Sequence, residues 1–118
     1  MAGIAPKTLA KKIIKLIWKK KAEDIVLLDL KKISSVTDYF VICSAASDIQ
    51  ARVVADTVLE GLRDRNVVNH QEGYEAGRWI LIDCLDVVLH IFRPEVREFY
   101  GLERLWGDAP REEFPDGL

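Results

Sequence analysis

The side chains in this sequence that could do chemistry are two acids, a histidine near them, two cysteines and two serines. Asp83 and Asp86 stand three residues apart, and His90 follows four residues later. A metal-dependent phosphoryl-transfer site or a general acid–base site draws on these types. Such a site gathers carboxylates around one ion, yet no Asp-x-Asp pair occurs anywhere in the chain. Asp83 and Asp86 also read as solvated turn residues or as contacts for a basic partner. His90 alternates with Val88 and Phe92, so it shares their face, where a lone histidine is usually a hydrogen-bonded structural residue. Ser44 and Ser47 lie between a strand and a helix, the place for a nucleophile or phosphate loop. The run Cys43-Ser44-Ala45-Ala46-Ser47 lacks the glycines such turns use, and no G-x-G-x-x-G or Walker loop occurs elsewhere. Cys43 and Cys84 each sit in an apolar run and read as buried free thiols. Two cysteines and two histidines without close spacing make no zinc signature. No nucleophile–base pairing is readable, so the residues give no support for an enzyme, a cofactor or a bound metal.

What remains is surface chemistry. Tyr74, Trp79, Phe92, Phe99, Tyr100 and Trp106 are concentrated in the C-terminal half, among Asp83, Asp86, Arg93, Glu95, Arg97, Glu98 and Glu103. Some of these aromatics must fill a core, but aromatics mixed with charge also describe a protein interface. Charge is divided along the chain. All nine lysines fall within residues 7–32 against Glu23, Asp24 and Asp29, a surplus of six positive charges. The eight arginines, all from Arg52 onward, face sixteen acids, a surplus of eight negative charges. An acidic body repels phosphate backbones and attracts basic proteins, leaving nucleic acid only the lysine-rich first helix.

The elements that must position these groups follow from periodicity. Leu9, Ile13, Leu16 and Ile17 recur at helical spacing over Thr8–Lys20, with lysines outside the stripe. A membrane-surface helix has a similar pattern, but packing on the following strands explains the stripe. Ile25–Leu30 and Tyr39–Ser44 read as strands, the second apolar on both faces and therefore central. Ser47-Asp48-Ile49-Gln50 fits a capping box that opens a helix from about Asp48 to Arg63. Asn66–His70 reads as a short polar strand and Glu72–Gly77 as a loop. Trp79–Cys84 and Val87–Phe92 read as strands joined through Leu85-Asp86. Pro94 opens a short helix that Gly101 ends or bends, and Leu102–Trp106 adds a turn. The expected fold is α/β, a mixed sheet of about five strands with helices packed on it and one sheet face open. Residues 1–107 form a single domain in this reading, and residues 108–118 a flexible tail. No apolar run approaches the length of a bilayer span, and lysines fall throughout residues 1–21, so neither a membrane segment nor a leader is expected. A cytoplasmic protein is the expectation.

Three ordered blocks resemble the ribosomal silencing factors, also called Iojap-like proteins. The first is Asp38-Tyr39-Phe40-Val41-Ile42-Cys43-Ser44 with Ser47 and the Gln50-containing helix start. The second is Glu72-Gly73-Tyr74 with Trp79-Ile80-Leu81-Ile82-Asp83 and Asp86-Val87-Val88-Leu89-His90-Ile91-Phe92. The third is Pro94-Glu95-Val96-Arg97-Glu98-Phe99-Tyr100 with Leu102-Glu103-Arg104-Leu105-Trp106. Together they cover about Leu9 to Trp106. The resemblance implies a nucleotidyltransferase-like fold without catalytic acids. It further implies binding to the large ribosomal subunit through large-subunit ribosomal protein number fourteen. A factor bound there sterically blocks joining of the small subunit and represses translation under nutrient limitation; free members often form homodimers. Mapped onto this chain, the expected contact residues are Trp79, Asp83, Asp86, Glu95, Glu98, Tyr100 and Trp106. The family usually has Gly near Ala45, Arg near Ile49, and Tyr-Gly where this chain has Cys84-Leu85, so contacts at these positions differ. The alternative function is a divergent metal-dependent nucleotidyltransferase using Asp83, Asp86 and His90. A third reading is an RNA-binding adaptor acting through the Lys7–Lys21 helix.

Overall fold

The computed structural model describes residues 4–118, so the first three residues of the expected domain lie outside the described residues. Helix α1 (Pro6–Lys19) starts with proline in its first turn, where a missing N–H is harmless, and buries Leu9, Ala10, Ile13, Ile14 and Ile17. Strands β1 (Glu23–Asp29) and β2 (Tyr39–Ser44) pair antiparallel. Helix α2 (Asp48–Gly61) is capped by Ser47, whose hydroxyl accepts the Gln50 N–H at 3.0 Å. The reciprocal half of the expected capping box is absent, because the Gln50 amide donates to the Lys20 carbonyl and ties α2 to the end of α1.

A 3₁₀ turn (Arg63–Arg65) ends at Asn66 in the left-handed conformation. That turn corrects the strand expected over Asn66–His70. Val67 and Val68 pack against the core, and β3 begins only at His70, running to Glu72. Strands β4 (Trp79–Asp83) and β5 (Val87–Phe92) form the expected hairpin. Two short helices, α3 (Pro94–Tyr100) and α4 (Leu102–Leu105), follow and meet at Gly101, whose φ of 59° closes α3.

The mixed sheet has six strands in the order β3-β4-β5-β2-β1-β6. Only β2 and β5 run parallel, linked by the crossover that contains α2. The sixth strand, β6 (Arg111–Glu113), corrects the reading of residues 108–118 as a flexible tail. It pairs antiparallel with β1, and the flanking Ala109 and Phe114 are buried. Two prolines and three charged strand residues hide this element, since its order comes from the free edge of β1 and from two buried anchors.

One sheet face carries Ile25, Leu27, Tyr39, Val41, Cys43, Ile80, Ile82, Leu89 and Ile91 and packs under α1 and α2. The opposite face carries Val26, Leu28, Phe40, Ile42, Trp79 and Phe92, covered in part by Val96, Leu102 and Trp106 from the α3–α4 segment. The face expected to be open is therefore open only along part of its area. Both cysteines are buried with free thiols, and burial pushes Cys43 up to about 12 and Cys84 up to about 11. No helix among the described residues is long and apolar enough to cross a membrane.

Candidate protein-docking site

Alternation along β4 sends Ile80 and Ile82 into the α1–α2 core and turns Trp79, Leu81 and Asp83 to the opposite face. Trp79 stands directly across from Phe92, with ring centroids 4.8 Å apart. Its other neighbour is Tyr100 at the end of α3, 5.0 Å away. Gly73 makes this corner possible: at φ 80° it carries the chain past Trp79, and a Cβ there would lie 2.0 Å from the Trp79 carbonyl oxygen. The Trp79 indole N–H donates to His90 Nδ1 at 3.1 Å, a diagonal cross-strand contact. His90 in turn meets Phe40 edge-to-face at 4.5 Å, and Phe40 meets Trp106 edge-to-face at 6.1 Å. The result is a continuous aromatic strip from Tyr100 through Trp79, His90 and Phe40 to Trp106.

At its Tyr100 end the strip runs out into exposed side chains. Phe99 is 78% exposed and Tyr100 58%. Exposed apolar groups clustered beside a half-buried tryptophan make this face a candidate interaction surface. A shallow cleft of about 460 Å³ lies on this flank, lined by Gly73, Trp79, Glu95, Val96, Phe99 and Tyr100.

Of the residues expected at a contact site, Trp79, Tyr100, Trp106 and Glu95 come together here. Asp83 shares the face but lies four residues along β4 from Trp79, about 13 Å at strand spacing. Its Oδ1 accepts the Leu85 N–H at 2.7 Å and so shapes the hairpin turn. Asp86 lies exposed in that turn, where its backbone carbonyl accepts from Asp38 and Tyr39. Both acids therefore lie at the β4–β5 turn, away from Trp79. Glu98 is separated from them. It lines a different, charged cleft with Arg97, Glu103, Arg104 and Arg111 on the other flank of α3. Phe40 was not among the expected contact residues. Alternation alone places Phe40 on this face, but only the β5–β2 adjacency brings it to His90.

The trio Asp83, Asp86 and His90 is not assembled as a catalytic set. His90 is 3% exposed, its Nδ1 is taken by Trp79, and burial lowers its pKa to about 4. Among the described residues no group of three or more His, Cys, Asp and Glu side chains is placed to hold a metal ion. Ser47 is a helix cap, and Ser44 Oγ accepts from Arg97 Nη1 at 2.8 Å. Arg97 also forms a paired contact with Glu103, holding its carboxyl below the usual carboxylate range, with Arg111 adding to the effect.

A family model described as ribosomal silencing factor during starvation matches residues 4–117. The chain belongs to the ribosomal silencing factor family. The ribosomal silencing factor of Bacillus subtilis is 42% identical over 100 residues, covering 84% of this chain and 85% of that one. A crystal structure of a Chromobacterium violaceum protein superposes with a TM-score of 0.85 at 32% identity, covering 88% of each chain. More distantly, a mouse protein named for mitochondrial assembly of the ribosomal large subunit is 29% identical over 98 residues, 80% of this chain and 43% of that protein. The family match extends through β6, in keeping with the tail segment's place in the sheet.

Proposed function

We propose that the chain is a non-catalytic translational repressor that binds the large ribosomal subunit through its aromatic sheet face. It blocks joining of the small subunit by occupancy. The observation that carries this reading is the pair of exposed rings Phe99 and Tyr100 beside the half-buried Trp79, on a sheet face that also carries Asp83, in a chain of this family. Aromatic anchors supply burial at the centre of an interface, and acids at its edge suit a basic partner. The partner in this reading is large-subunit ribosomal protein number fourteen. The names of the relatives, silencing factors and a large-subunit assembly protein, support a partner on that subunit. When the protein is free, the same apolar face would be covered by a second copy, giving a homodimer that competes with docking. The site of action is the cytoplasm, with the ribosomes.

The test is co-sedimentation with isolated large and small subunits, followed by light scattering as the subunits are mixed. Binding to large subunits alone, with joining suppressed in proportion to occupancy, is the expected result. Reversing both charges, Asp83→Lys with Asp86→Lys, should weaken that binding without unfolding the protein. Unchanged binding removes the two acids from the site, and no binding to either subunit overturns the reading.

A further inference from the structure

His90 is an expensive choice for its position. It is buried on the second sheet face among Phe40, Trp79 and Phe92. Because Nδ1 accepts the indole N–H, the ring proton sits on Nε2, and Nε2 is buried with no partner. A buried unpaired donor works against stability, and an apolar side chain would pack there without that penalty. What the imidazole supplies is a fixed acceptor for the Trp79 indole N–H, 3.1 Å away. A half-buried indole without such an acceptor turns to bring its N–H to water.

We propose that His90 is a positioning residue of the docking face. By accepting the Trp79 N–H it holds the indole tilted between Phe92 and Tyr100, so the ring meets a partner in one preset orientation. Three contacts define that orientation: Phe92 at 4.8 Å and 32°, Tyr100 at 5.0 Å and 48°, and the hydrogen bond itself at 3.1 Å. A preset ring loses less freedom on binding, which is where the affinity arises. The proposal rests on the docking reading above.

A double-mutant cycle on large-subunit binding tests it. Trp79→Phe removes the ring that is positioned and should weaken binding. His90→Leu should weaken binding about fivefold when Trp79 is present, the worth of one net hydrogen bond. In the Trp79→Phe background the same change should alter affinity by less than about twofold, because nothing is left to position. The Trp79 indole ¹H–¹⁵N resonance, identified by its absence in Trp79→Phe, should move in His90→Leu. Two polar variants sharpen the contrast. The amide of His90→Asn can stand near the Nδ1 position and should keep binding, whereas that of His90→Gln reaches the Nε2 position and should not. If the leucine variant fails to fold, this pair decides. Equal losses from His90→Leu in both backgrounds, an unmoved indole resonance, or equal affinities for Asn and Gln would each overturn the proposal. If Trp79→Phe itself binds normally, Trp79 is not in the interface and the placement of the docking face fails first.

Discussion

Acid should destabilise this protein through His90, by an amount that follows from its surroundings. The ordinary histidine value is 6.5, and burial lowers it to about 4 in the folded chain. Between those values the unfolded chain binds a proton that the folded chain does not, so stability falls as pH falls. The stability is fully present above pH 6.5 and is lost progressively down to about pH 4. At about 1.4 kcal/mol per pH unit, the 1.5 units between 6.5 and pH 5 correspond to about 2 kcal/mol. Urea unfolding at pH 7 and pH 5, followed by circular dichroism, gives the stability at each pH for the wild type and for His90→Leu. The wild type should lose about 2 kcal/mol more than the variant between the two conditions, with the denaturant slope unchanged. His70 and every carboxylate are common to both proteins and cancel in the comparison. Equal losses in the two proteins would mean that His90 is not held neutral in the folded state, and the argument from its burial and its Nδ1 contact would fall with it.

Other perturbations follow from particular residues. Leu85 is 59% exposed and takes φ 69° in the β4–β5 turn, a conformation costing a side-chain-bearing residue about 1–2 kcal/mol. Leu85→Gly should therefore raise thermal stability by several degrees after glycine's greater unfolded-state freedom is deducted; a lower Tm would contradict the strain. Truncation after residue 107 removes β6 and the buried Phe114 and uncovers the β1 edge. Chemical denaturation should show a loss of at least about 3 kcal/mol, whereas a true tail would cost almost nothing. Arg97 is 12% exposed and links Ser44 to Glu103, so Arg97→Ala leaves Glu103 paired with Arg111 alone and should cost about 1–2 kcal/mol in the same assay.

Wherever local pattern and tertiary outcome depend on the same residues, the elements could be read directly. The short apolar runs of Tyr39–Ser44 and Val87–Phe92, helical spacing in α1, the Ser47 cap and the Pro94 and Gly101 signals all act over a few neighbouring residues. The corresponding elements appear where expected. The failures share a cause. Arg111–Glu113 has no strand pattern, and the strand expected to start at Asn66 begins only at His70. In both cases pairing was settled by a distant edge or by a left-handed residue rather than by the segment itself.

The same division applies to the proposed docking face. Composition and charge identified aromatics and acids in the C-terminal half as its material, and the types of Trp79, Asp83, Asp86, Glu95, Tyr100 and Trp106 were visible in the chain. Which of them meet was decided by the sheet order. Placing β4 and β5 next to β2 joins Trp79, His90 and Phe40 into one strip, while α3 turns Glu95 toward that strip and Glu98 toward the other flank. His90 shows the difference most clearly. Its alternation with Val88 and Phe92 determined which face it would occupy. Its neutrality and its hold on Trp79 come from burial and from a cross-strand register that exists only after the hairpin has paired.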